Sequence, residues 1–214
     1  MTIIEQANKR GEEIDLKYKE KLFILDIETK PQEDLIDIYL GNVKAPSNYK
    51  DEDKIKEYIE SKKQGVKKKM STDTDFASII CIGIKELGKE PKLYTLEEME
   101  QFFKDNPRPT FITYNGKSFD LPVLIKAGIK KGLDFPYKHL SDMSIKWRKD
   151  YSIDLMEIVC NNEYRSLDML LQIYCGVSKK PINFETASEE EIKEHNIEDL
   201  INTEKLYNKF KEII

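Results

Sequence analysis

Cysteine is scarce in this chain. Cys81, Cys160 and Cys175 are the only three in 214 residues, and no two of them form a CxxC pair. That spacing argues against a zinc site and against a disulfide framework. It fits reduced core cysteines in a cytoplasmic protein. Histidine is scarcer still: His139 and His195 are too few for a histidine-rich metal centre. No apolar run approaches the roughly 20 residues needed to cross a bilayer. Met1 to Glu20 mixes acids and bases without the apolar core of a signal peptide, so no membrane role is expected. A basic surplus is also missing, since 35 Lys and Arg face 40 Asp and Glu for a net charge of −5. This argues against a protein that coats nucleic acid, though not against an enzyme that grips a few nucleotides. The charge is uneven: Ser61 to Lys69 holds Lys62, Lys63, Lys67, Lys68 and Lys69, and Glu185 to Glu204 holds eight acids and one Lys. Solvated helix faces are the simple account of both runs.

What is present begins with Leu22-Phe23-Ile24-Leu25-Asp26-Ile27-Glu28-Thr29. The apolar part predicts a central strand covered on both faces, which needs no alternation. Residues two apart in a strand point the same way, so Asp26 and Glu28 would project side by side. Paired carboxylates at the edge of a core repel and are costly to desolvate. A hard divalent cation such as Mg²⁺ or Mn²⁺ removes both problems. A strand end running into solvent is the plainer alternative.

The rest alternates strands and helices, which predicts an α/β sheet sandwich. Residues 1–20 read as an N-terminal arm or helix, and 21–214 as a single domain. Glu33 to Leu40 predicts a short helix. A longer one starts at Asp51, with Ile55, Tyr58, Ile59, Val66 and Met70 on one side; it reads as an insertion at the sheet edge. Strands follow at Ala77–Ile84, Pro91–Thr95 and Thr110–Tyr114, with a helix at Leu96–Lys104 capped by Thr95. In Tyr114-Asn115-Gly116-Lys117-Ser118-Phe119-Asp120-Leu121-Pro122 a strand ends, a turn follows and a helix begins near Pro122. The macrodipole there favours an ionised Asp120. Asn115 and Phe119 fall where open α/β sheets bind ligands, and Phe119 is placed to stack on a base. A core Phe and an ordinary helix acid are the alternative. Ser166–Tyr174 predicts a helix closed by Gly176. Ser188 caps an acidic helix to Glu194, and Ile197–Ile214 makes the last one. His195 and Asp199 stand four apart, on one helical face.

Taken together, Asp26-Ile27-Glu28-Thr29, Asn115 to Asp120 and His195 to Asp199 resemble the DEDD superfamily of 3′-5′ exonucleases. The branch they resemble most is similar to the proofreading domain of family B DNA polymerases, as stand-alone proteins. Tyr151–Glu157 and Ser166-Leu167-Asp168 look like its intermediate segments. The resemblance spans about residues 20–214. It implies a ribonuclease-H-like fold with a mixed central sheet, and two-metal hydrolysis at the 3′ end of single-stranded DNA or RNA, with nucleoside monophosphates released. Asp26 would bridge two Mg²⁺ or Mn²⁺ ions, Glu28 and Asp199 would complete one site, and Asp120 would hold the other. Ions about 3.5–4 Å apart stabilise both the attacking and the leaving oxygen. Thr29, Asn115, Lys117 and Phe119 would bind the terminal nucleotides. One departure stands out. The tyrosine branch places Tyr, three residues, then Asp, and the histidine branch places His, four residues, then Asp. Here His195 has the identity of one and the spacing of the other. It is a candidate to orient or deprotonate the attacking water.

Two rival readings remain. A non-catalytic nucleic-acid-binding or assembly module on this fold would have lost carboxylates, and Asp26, Glu28, Asp120 and Asp199 are all present. A metal-dependent endonuclease would use the same ions. The chain carries no polymerase motif, so a proofreading role would require a polymerase or replication partner.

Overall fold

A computed structural model describes residues 21–63, 65–148, 151–161 and 163–214. The expected arm at residues 1–20 lies outside them. The centre is β1 (Leu22–Pro31), longer than the apolar run alone suggests. Beside it lie β2 (Ala77–Glu86), β3 (Lys92–Tyr94), β4 (Thr110–Thr113) and β5 (Ser152–Asp154). The sheet order is β3-β2-β1-β4-β5. β1 and β3 run antiparallel to β2, while β4 is parallel to β1 and to β5. The sheet is therefore mixed, as expected.

Both faces of β1 are covered, and its side chains alternate between them. Phe23, Leu25 and Ile27 enter one apolar layer. Its other side is built by α4 (Met99–Asp105), α5 (Asp120–Lys131) and α6 (Tyr137–Met143), with Phe102, Phe103, Leu121, Leu124, Leu140 and Met143. Ile24 points the opposite way, into a second layer with Leu167, Leu170 and Leu171 of α8 (Leu167–Cys175) and Leu200 and Leu206 of α9 (Glu189–Phe210). By the strand's period of two, Asp26 and Glu28 continue the Ile24 row and face α9.

Between β1 and β2 lie α1 (Ile36–Gly41), α2 (Glu52–Lys63) and α3 (Val66–Ser71). The single helix expected from Asp51 is two, because Gly65 adopts φ 72, a left-handed conformation that stops a helix. The insertion does not sit at the sheet edge. Met70 is fully buried, and the Ser71 carbonyl accepts the Thr29 hydroxyl at 2.6 Å, so α3 packs on the end of the central strand. Within the basic run, Lys63 pairs with Glu60 and Lys67 with Glu33, both at 2.6 Å. Thr95 bonds reciprocally with Glu98 across the turn that precedes α4 rather than capping that helix.

The two terminal helices expected around His195 are one, α9, opened by a Ser188–Glu191 capping box. It lies on β1 and β2 and comes unusually close at Gly83, the register partner of Asp26. A Cβ there would sit 1.9 Å from Asn196 Oδ1 and 2.7 Å from Leu200 Cδ1. Only glycine lets α9 approach this far. No helix among the described residues is long and apolar enough to cross a membrane.

Candidate active site

β4 pairs with β1 only over Leu22–Ile24, so beyond that point β1 has a free edge. The chain leaving β4 fills it. Asn115 turns at φ 63, a left-handed conformation that asparagine tolerates. The turn is held from below by Asp154, at the end of β5. Its carboxylate accepts the Asn115 N–H at 2.9 Å, the Lys117 N–H at 3.1 Å and the Met156 N–H at 3.1 Å. It thereby also caps α7 (Leu155–Cys160). With the turn fixed, α5 begins at Asp120, whose Oδ1 accepts the Ile27 N–H of β1 at 2.8 Å. This satisfies a strand amide that β4 does not reach and brings Asp120 against Asp26 and Glu28.

The other wall is α9. Asn196 Nδ2 donates to Asp26 Oδ2 at 2.7 Å and to the Asp26 carbonyl at 3.1 Å. One turn on, Asp199 faces Glu28, and ligand atoms of Glu28, His195 and Asp199 lie within 4.8 Å of one another. Glu28 sits at a β-bulge in the β1–β2 ladder, a feature that re-aims side chains. His195 Nε2 is 3.6 Å from Asp199 Oδ2, and the Phe184 ring meets the imidazole edge-on with centroids 5.5 Å apart.

The electrostatics follow from this crowding. Burial, then the charges of Glu28, Asp120 and Asp199, push the Asp26 carboxyl well above its ordinary range, with Lys179 opposing. Glu28 is pushed up to about 8 by burial, then by Asp199 and Asp120. Asp120 is raised to about 7 by burial, although the Ile27 N–H favours its charged form. His195 is lowered, chiefly by burial, against the pull of Asp199. Among the described residues, one cation answers these acids. The Lys179 ammonium pairs with Asp199 Oδ2, and the Lys179 N–H is fixed at 2.8 Å by Asp168 of α8. Asp199 Oδ1 is buried with no hydrogen-bond partner. Clustered hard oxygens, raised pKa values and an unmatched buried oxygen fit divalent cations bound here.

The site opens into a groove of about 490 Å³ lined by Asp26, Asn115, Tyr164, Lys179, His195 and Asp199, among others. Of the expected nucleotide contacts, Asn115 lines it. Lys117 does not reach out. Its ammonium is turned inward, 2.7 Å from Glu157 Oε2 and 2.8 Å from the Arg148 carbonyl, because the Asp154 anchor points the side chain into the protein. Phe119 is half-buried against the first apolar layer, and the Thr29 hydroxyl is spent on Ser71. Sequence reasoning does not reach the functional places of Lys179, Asn196 and Asp154. Asp154 leaves one trace, an acid near the head of the apolar segment 153–159, which also holds Glu157. Asn196 and Lys179 leave none, since polar residues beside a charged helix and in a loop are ordinary.

Comparison with solved structures finds the fold in the family B DNA polymerase of the hyperthermophilic archaeon Pyrobaculum calidifontis, at a TM-score of 0.55 and 13% identity. The match covers 89% of this chain and 24% of the polymerase, so the chain spans about a quarter of that protein's length. At that identity the likeness establishes the fold, which is ribonuclease-H-like. Among curated protein sequences none matches. Residues 69–213, well over half of the chain, match the family described as "predicted 3′-5′ exonuclease related to the exonuclease domain of PolB", and the chain belongs to that family.

Proposed function

We propose that this protein is a two-metal-ion 3′-5′ exonuclease acting on single-stranded nucleic acid, DNA in preference to RNA. The observation that carries the proposal is the convergence of Asp26, Glu28, Asp120 and Asp199, from three separate elements, into one mutually repelling cluster, with Asp26 and Asp199 lining the groove. A stable core gains nothing from such a cluster, because each acid raises the cost of charging the others. These four would hold two Mg²⁺ or Mn²⁺ ions. The bound ions would supply the positive charge that stabilises the attacking and leaving oxygens of an in-line displacement.

The chain's own residues do the rest. Asp120 is locked by the Ile27 N–H and Asp26 by Asn196, so the two central carboxylates need little reorganisation. His195, neutral near physiological pH because burial disfavours its charge, faces the groove as the group that takes a proton from the attacking water. Lys179 favours the ionised form of Asp26 and Glu28 while the cluster assembles. Asn115, on the opposite wall, is placed to hold the terminal nucleotide.

Counting bound Mn²⁺ by calorimetry tests the proposal. Two ions per chain are expected in the wild type, with the stronger site lost in Asp26→Asn while the fold is kept. One ion or none in the wild type would overturn the two-metal mechanism.

A further inference from the structure

Among the described residues outside the groove, the most unusual backbone belongs to Trp147. It lies at φ 70, a conformation that a bulky side chain adopts only under strain. The residue is nonetheless 61% exposed, so burial of the ring does not account for the strain. The backbone is held from behind instead. The Trp147 N–H donates to Glu157 Oε1, and the other oxygen of that carboxylate pairs with Lys117 at 2.7 Å. This ion pair is almost fully buried, with side-chain exposures of 10% and 2%. Lys117 also donates to the carbonyl of Arg148, the next residue. Two buried charges thus fix a strained turn whose product is an indole standing in solvent. Such strain persists only where the surroundings over-determine it, and it gathers at ligand contacts.

The same ties join the turn to the groove. Lys117 lies two residues from Asn115, a groove residue, and three from Asp120, and its N–H shares the Asp154 carboxylate with Asn115. The neighbours of Trp147 in the chain, Lys146 and Arg148, are both cations. Lys146 is exposed and makes no ion pair among the described residues. The Arg148 guanidinium lies 4.5 Å from the centre of the Tyr151 ring and 3.8 Å from Asp142 Oδ1, which hold it in place. An exposed aromatic in a basic stretch of chain is the chemistry that recognises an unpaired base and its phosphates, since every base has a stacking face.

We propose that Trp147, presented between Lys146 and Arg148, is a stacking contact for an unpaired base of the strand whose 3′ end occupies the groove. This rests on the exonuclease reading and adds to it a second point of grip, one that selects single strands because a paired base offers no free face. The buried Lys117–Glu157 pair ties the turn that carries this grip to the segment between Asn115 and Asp120.

Trp147 is the only tryptophan in the chain, so its emission reports on this contact alone. Octathymidylate is titrated into the wild type in EDTA and into Asp26→Asn with Mn²⁺, following both tryptophan emission and the anisotropy of a 5′-labelled copy. Emission should change with the same midpoint as anisotropy. Trp147→Phe should bind within about threefold of the wild type, and Trp147→Gly about tenfold or more weakly, as loss of one stacked base predicts. Glycine is at ease at this φ, so Trp147→Gly should melt no lower than the wild type, which separates a binding role from a structural one. If the oligonucleotide binds with unchanged emission, or Trp147→Gly binds as the wild type does, the stacking role is refuted while the exonuclease reading stands. If no variant or condition gives binding or hydrolysis, the exonuclease reading falls and the contact falls with it.

Discussion

Removing one negative charge from the carboxylate cluster should stabilise the metal-free protein, by an amount that grows with pH. Glu28→Gln is the cleanest case, since the amide keeps the shape. In the folded chain the Glu28 carboxyl is raised from 4.5 to about 8, so the fold binds its proton more tightly than the unfolded chain does. The sign follows from linkage. Stability is full below about 4.5 and falls as pH rises through the window up to about 8. At about 1.4 kcal/mol per pH unit, the ceiling at pH 8 is roughly 4 kcal/mol, and at pH 5 it is under about 1. Glu28 is partly open to solvent and shares its repulsion with Asp26, Asp120 and Asp199, so about 1–2 kcal/mol at pH 8 is the working figure. For a chain of this size that corresponds to a melting temperature about 2–8 °C higher for Glu28→Gln in EDTA at pH 8. The gap should narrow toward pH 5. Saturating Mn²⁺ should reverse the order, because the wild type gains the binding energy of the ions. Thermal melts at three pH values, with EDTA or Mn²⁺, read all of this. A variant no more stable than the wild type at pH 8 in EDTA, or a gap independent of pH, would refute the electrostatic account of the cluster.

Three further outcomes follow from the geometry. Gly83→Ala should push α9 off the sheet at Asn196 and Leu200, costing stability in urea melts and lowering kcat; adding Asn196→Ala should recover part of the stability and none of the kcat. Lys117→Met should strand the buried Glu157 carboxylate and destabilise the protein by about 3–5 kcal/mol, a loss that Glu157→Gln in the same chain should reduce. His195→Ala should lower kcat about 10²–10⁴-fold with Mn²⁺ affinity unchanged, whereas His195→Tyr should keep activity; a fall in Mn²⁺ affinity instead would make His195 a ligand rather than a base.

The centre of this fold is legible in the sequence because β1 is buried on both faces and ends in acids, a pattern that a half-exposed surface strand does not produce. The turn from Asn115 to Asp120 and the His195–Asp199 pair are legible for the same reason, since each joins chemistry-bearing residues at a fixed local spacing. What stays hidden depends on long-range contacts. The stripe of α9 that meets the sheet runs Ile192, Asn196, Asp199, Thr203 and Leu206, and its polar members erase the apolar periodicity that marks one continuous helix. Lys117 resembles a phosphate-binding lysine beside a glycine, and only the position of Glu157, forty residues on, turns it inward. Lys179 reaches Asp199 from a loop twenty residues away, and no local pattern announces that.

The central claim is that these carboxylates serve metal-dependent removal of nucleotides from a 3′ end. One gel tests it most directly: a 5′-labelled linear single strand and a circular single strand of the same sequence, each incubated with Mn²⁺ or with EDTA. The account predicts a ladder that shortens from the 3′ end of the linear strand, mononucleotide product, an intact circle and no reaction in EDTA. A cut circle, products from the 5′ end, or degradation that survives EDTA would contradict it.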